Sequence, residues 1–151
     1  MLRFTQVPVP PPADFPLRWI ERYEQGREEG TREGFAFVDE SDGGFLGIGL
    51  AVRIEREEAR TVELGYIVAP EARGRGIGAE ALRQLTKWAL DDLGALRVEL
   101  RIAVQNEGSK RVAERAGYVR EGVLRSFYFK DGMRQDTEIW SRLPTDPEPL
   151  S

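Results

Sequence analysis

The sequence predicts an α/β (α+β) fold: one twisted sheet, mixed but mostly antiparallel, with a single parallel crossover at its centre. Three observations predict it. The turn signals Ser41-Asp42-Gly43-Gly44 and Asp131-Gly132 each separate two strand-like runs, so each reads as an antiparallel hairpin. Between the hairpins lies a strand, a glycine-rich loop, an amphipathic helix and another strand, a unit that closes as a right-handed parallel crossover. The chain has 151 residues, 40% hydrophobic and 32% charged, which suits one core beneath one polar surface.

Each element has a local reason. Five of the nine prolines fall in residues 8–16, which read as an extended connector, with a polyproline recognition segment as the alternative. Asp14 caps the first helix, Pro16 sits in its first turn, Gly30 follows its end, and Leu17, Ile20 and Tyr23 supply its buried face. Residues 35–39 and 45–54 form the first hairpin. In the strand 61–68, Val62, Leu64, Tyr66 and Val68 share one face by period-two alternation. Gly78, Ala81, Leu82, Leu85, Trp88, Ala89 and Leu93 then make a helical stripe, opposite Glu80, Arg83, Gln84, Lys87 and Asp91. This predicts one long helix closed by Gly94. Residues 96–104 are a strand, 106–116 a shorter helix ending at Gly117, and 118–129 with 134–143 the last hairpin. Residues 144–151 carry three more prolines and read as a disordered, solvated tail, leaving one domain over 1–143.

Composition removes whole classes of chemistry. With no Cys and no His there is no disulfide framework, thiolate nucleophile, Ser-His-Asp triad or Cys/His zinc site, and no metal is expected. A net charge of −4 without a basic stripe argues against a nucleic-acid partner. No apolar run spans a membrane, and the first residues lack the layout of a secretory signal, so the expected location is the cytoplasm.

The densest chemical signal is Arg73-Gly74-Arg75-Gly76-Ile77-Gly78-Ala79, between the strand ending at Val68 and the next helix. Glycines let the backbone approach a ligand closely, and a helix start presents unpartnered amides at the positive end of the dipole. Phosphate suits that arrangement, with Arg73 and Arg75 adding charge. A bare connector is the plain alternative. A dinucleotide loop matches loosely, but Ala69-Pro70-Glu71-Ala72 intervene after the strand, and a strand-first order is missing. A Walker loop fails, since no Gly-Lys-Ser/Thr follows.

These residues carry a resemblance. Arg73-x-x-Gly76-x-Gly78 after Pro70 resembles the acetyl-CoA pyrophosphate motif of the GNAT N-acetyltransferase superfamily. The stretch from Glu63 to Gly76 resembles its RimJ/RimL-like branch, as do Asn106-x-x-Ser109-x-Arg111-Val112-x-Glu114-Arg115-x-Gly117-Tyr118 and the late hairpin from Gly122 to Gly132. The likeness runs from about residue 34 to 143, and set against the family pattern the expectation is a GNAT fold without the strand and helix with which such domains typically open.

The resemblance implies acetyl transfer from acetyl-CoA to a primary amine, on a protein N-terminus or a small molecule, by direct attack. It implies that the strand before the loop splays from its neighbour, with Ile67 and Val68 pairing to pantetheine. The amides of Gly74, Arg75, Gly76, Ile77, Gly78 and Ala79 would hold the pyrophosphate. Asn106 would cap its helix, contact pantetheine, or do both. Arg111 and Arg115 either approach the CoA phosphates or form a solvated face. Glu63 stands at the family's strand-glutamate position, as general base or as a surface carboxylate. Many relatives place a proton-donating Tyr seven residues after that Asn; here the position is Ala113. Ser109 is the remaining hydroxyl, as donor to the sulfur or as a cap. Tyr66 and Trp88 read as core or cleft lining. Homodimers are common in the family. The alternatives are a non-catalytic acyl-CoA-binding domain, transfer of another acyl group such as succinyl, an interaction module and a nicotinamide oxidoreductase.

Overall fold

The computed structural model describes residues 10–150. The elements run α1 (Phe15–Glu29), β1 (Glu33–Val38), β2 (Phe45–Ile54), β3 (Thr61–Val68), α2 (Ile77–Lys87), β4 (Arg97–Ala103), α3 (Glu107–Arg115), β5 (Val119–Lys130) and β6 (Met133–Arg142). Six strands form one sheet in the order β1-β2-β3-β4-β6-β5. Only β3 and β4 are parallel; every other neighbouring pair is antiparallel. This is the mixed sheet with a central crossover that the turn signals and the helix between β3 and β4 predict. At the last hairpin Asp131 and Gly132 take φ of 52° and 76°, the left-handed pair that a two-residue turn needs.

The core lies between the sheet and α2 with α3. Val62 and Leu64 of β3 and Val98, Leu100 and Ile102 of β4 pack with Leu82, Leu85, Ala89 and Ala113. Burying such a side chain stabilises by about 1.5–3 kcal/mol. One buried hydroxyl pair inside this layer is satisfied: the Thr86 hydroxyl donates to Leu82 O at 2.7 Å and meets the Tyr118 hydroxyl at 2.6 Å.

Three expectations change. The long helix is not α throughout: α2 ends at Lys87, and Trp88–Asp92 continue as a π-type turn. The wider turn lets Trp88 meet Phe35 edge-on at 4.8 Å while Ala89 stays buried. Leu17 and Ile20 of α1 are 66% and 47% exposed rather than buried. The helix packs on β1, and Gly26, with the half-buried Tyr23, makes the contact. Asp14 stands at the N-cap, but its carboxylate pairs with Arg18 instead of a backbone amide.

Residues 1–9, which include part of the proline-rich connector, lie outside the described residues. In the C-terminal segment, Asp146 accepts from the Leu143 amide at 2.8 Å, and Arg142 faces Asp146 at 3.8 Å and Glu148 at 3.7 Å. Among the described residues no helix is long and apolar enough to cross a membrane.

Candidate active site

The site begins where the two parallel strands part. Residues 61–64 of β3 pair with 97–100 of β4, and the pairing stops there. Beyond it β3 stays bound to β2 as far as Val68, and β4 stays bound to β6 as far as Ala103. Each strand is held by its outer neighbour, so the inner edges separate. Residues 65–68 therefore present unpaired peptide groups toward β4, an edge that another extended chain can pair with. A groove of about 1950 Å³ runs from α1 across this opening to the glycine loop and α3.

At one end stands the loop. After a turn at Pro70–Ala72 the chain passes Gly74 and Gly76, with φ of 74° and 76°, and enters α2 at Ile77. Both glycines are in the left-handed region, which strains any residue bearing a Cβ. The amides of the first helical turn have no intrahelical acceptor and point out of the helix end. Ile67, Val68, Arg73, Gly74, Gly76, Ile77, Gly78 and Ala79 all line the groove. The two loop arginines engage their own chain: Arg73 Nε donates to Val68 O at 3.3 Å, and Arg75 Nη2 donates to Asp39 Oδ2 at 3.4 Å. Arg75 is not among the lining residues. The backbone is thus the main donor set.

Across the opening, α3 brings a second cluster. Asn106 caps it, accepting from the Ser109 amide at 3.2 Å, so Asn106 and not Ser109 supplies the cap. Ser109 Oγ accepts from Asn106 Nδ2 at 3.1 Å and from the Tyr66 hydroxyl at 3.2 Å. A hydroxyl has two lone pairs and one proton; with both lone pairs engaged, its proton is left for a third acceptor. Burial pushes the Tyr66 phenol above its usual pKa, with the Ser109 bond opposing, so it stays protonated at neutral pH and remains a donor. Tyr66 lines the groove, in line with its reading as core or cleft lining, and its hydroxyl bond to Ser109 is the addition. The one available signal was a polar tip on the otherwise apolar face of β3. Arg115 lines the groove, whereas Arg111 is exposed and away from it. Ala113 is fully buried in the core.

Glu63 lies on the opposite face of β3 from Tyr66, by alternation. It is 9% exposed, so it is not a surface carboxylate. Its Oε2 stands 3.7 Å from Arg101 Nε of β4. Burial pushes its pKa above the ordinary glutamate range; Arg101 and Arg53 pull it back, and Glu99 adds to the rise. Arg101 in turn lies 4.9 Å over the ring of Phe127. Phe127 reaches it because β5 bulges: residues 125–127 oppose a single residue of β6, and Ser126 takes φ of 55° with its amide on Asp136 Oδ1 at 2.7 Å. Neither Arg101 nor Phe127 carries a motif in the sequence. A buried carboxylate on one face and a hydroxyl pair on the other thus flank one opening.

Comparison with known proteins agrees with this geometry. The acetyltransferase (GNAT) domain family matches residues 1–119. The probable N-acetyltransferase YjcK of Bacillus subtilis is 30% identical over 129 residues, 85% of this chain and 71% of that protein. The ribosomal-protein-serine acetyltransferase of Escherichia coli is 29% identical over 84 residues, 56% of this chain and 47% of that one. The chain thus spans about half the length of that second relative. A crystal structure of spermidine N-acetyltransferase from Vibrio cholerae with CoA and spermine shares the fold: TM-score 0.80 at 24% identity, over 90% of this chain and 79% of that one. With most of its length matched by the family and by YjcK, the chain belongs to the acetyltransferase (GNAT) domain family.

Proposed function

We propose that this domain, taken as residues 1–143, moves the acetyl group of acetyl-CoA to a primary amine by direct attack. The observation that carries the reading is the opening between β3 and β4, which ends at a helix-start anion cradle and at the Ser109 hydroxyl. The residues fit the cosubstrate. Gly74 and Gly76 leave the loop bare at the mouth, with no heavy atom within 4 Å of where a Cβ would stand. The edge at Ile67 and Val68 offers peptide groups to an amide-bearing arm, and the amides of residues 74–79 offer donors to a pyrophosphate. Asn106 and Arg115 add polar contacts on the α3 side; Arg75 and Arg111 would have to move to take part. Bound there, acetyl-CoA supplies an acetyl group already activated as a thioester.

The protein's own groups then have three tasks. A backbone N–H of the open β3 edge polarises the carbonyl. Glu63 takes a proton from the incoming ammonium, and burial, by raising its pKa above the ordinary glutamate range, makes it a stronger proton acceptor for that exchange. Ser109 gives its proton to the departing sulfur and regains one from Tyr66. As the new C–N bond forms the C–S bond breaks; one ammonium proton enters at Glu63 and passes to solvent, the sulfur leaves as the thiol with the Ser109 proton, and the second N–H proton, shed as the amide forms, returns through solvent to Tyr66, so that one proton is released per acetyl group moved. Thiol catalysis by the protein is not needed, which agrees with a chain without cysteine. The cytoplasm is the compartment this reading expects.

Thiol release from acetyl-CoA, measured over a panel of amines and free peptide N-termini, tests the reading. Turnover of at least one acceptor, with acetylated product by mass, is expected. CoA binding without turnover of any amine would instead favour a non-catalytic binder. Tyr66→Phe should lower kcat by about tenfold while the KM for acetyl-CoA holds, because it removes a proton source rather than a contact. An unchanged kcat over the full pH range would remove Tyr66 from the donor pair.

A further inference from the structure

We infer that the acceptor is a small amine bearing a carboxylate close to its amino group, an α-amino acid or a near relative of one, rather than a polyamine. This rests on the transfer reading above and assigns its acceptor. Glu63 and Arg101 are diagonal neighbours on β3 and β4, both line the groove, and their charged ends are 3.7 Å apart. At that distance they attract each other without a hydrogen bond. Arg101 also stands 3.9 Å from Glu99, and its Nε is buried with no hydrogen-bond partner at all. A buried N–H without an acceptor is costly, and a planar fork is the best side chain for a carboxylate. Glu63 takes an ammonium, Arg101 takes a carboxylate, and their spacing suits two groups on one carbon. The guanidinium lies 4.9 Å over the Phe127 ring.

The local charge points the same way. Away from the glycine loop the groove is lined by Arg22, Arg32, Arg53, Arg101 and Lys130, against Glu29 and Glu63. The chain as a whole carries a net charge of −4, so this half of the groove runs opposite to the molecule. A polycation would meet an excess of like charge along this half of the groove, whereas a zwitterion brings a carboxylate to a wall in which cations outnumber anions.

The test compares each of the twenty L-amino acids with its carboxamide and with spermidine, by thiol release from acetyl-CoA. Removing the carboxylate should cost about tenfold or more in kcat/KM, because it leaves the buried Arg101 Nε–H without an acceptor. In Arg101→Gln the ratio of acid to amide should collapse toward one, and Arg101→Lys should restore part of it. Equal rates for acid and amide in the unaltered protein, or a preference for spermidine, would overturn the assignment whether or not the variants fold. If no amine is acetylated, transfer itself fails. The carboxylate site is then read by thermal shift of the CoA-loaded protein with each amino acid and each amide. A shift with acids only supports the site, and no shift with any acid overturns it.

Discussion

Glu63 shows how one residue's surroundings set its chemistry. Alternation along β3 puts it opposite Tyr66, and β4 brings Arg101 and Glu99 beside it. Tyr23 of α1 and Arg53 of β2 also lie within its electrostatic reach. Burial is the largest influence and outweighs the attraction to Arg101, so its folded pKa lies above that of the unfolded chain. As pH rises from the usual glutamate pKa through the folded value, the unfolded chain releases its proton first and stability falls. The ionised, buried carboxylate is the residue's working form and also its cost. Glu63→Gln removes that titration. The stability of the variant relative to the unaltered protein should therefore grow as pH is raised from 4 to 7, measured by urea denaturation at each pH. Its kcat/KM should fall about a hundredfold for loss of a general base. A constant stability difference between the two pH values would show that Glu63 is solvated; unimpaired transfer would remove it as base.

At the scale of elements, what was legible in the sequence follows from what periodicity measures. Strands 45–54 and 61–68 and the Asp131-Gly132 turn stand as read, because alternation and a forced left-handed turn are local facts. Helix α1 shows the limit. Its apolar residues were legible, but the covering of Leu17 and Ile20 depends on tertiary neighbours, and both are exposed. The π turn after Lys87 and the β5 bulge at Ser126 also escape periodicity, since the first widens the helix and the second inserts two residues, each where a distant contact is made. The bulge is what delivers Phe127 to Arg101, so half of the acceptor wall was illegible for the same reason. The glycine loop was legible because its requirement is local, and it is also testable locally. At Gly76 an added Cβ meets open space but a φ of 76°. Gly76→Ala should therefore cost about 1–2 kcal/mol of stability through strain alone. Gly76→Asn, which tolerates the left-handed region, should recover most of it. If the loop works by bare backbone approach to an anion, Asn will restore stability without restoring protection by CoA. Recovery of both would reduce the role of Gly76 to turn geometry.

For the whole molecule, the sheet has one weak seam. Strands β1–β3 and β4, β6, β5 are joined edge to edge only where residues 61–64 meet 97–100. Behind the seam, α2 and α3 bridge the halves, with Arg83 Nη2 donating to Arg115 O at 3.0 Å. A ligand that threads the opening would complete the missing edge and touch the start of both helices. It binds the folded chain alone, so it must stabilise by mass action: about 2.7 kcal/mol at one hundred times Kd. For a domain of this size that corresponds to roughly 5–10 °C in Tm. The gain should also be local. Amide exchange should slow most at residues 65–68 and 101–103, on the two lips of the seam, and in the first turn of α2. Protection spread evenly over the molecule would mean global stabilisation from a site elsewhere. No shift in Tm at millimolar CoA would mean that the seam is only an irregular sheet, and acetyl transfer would lose its structural basis in this chain.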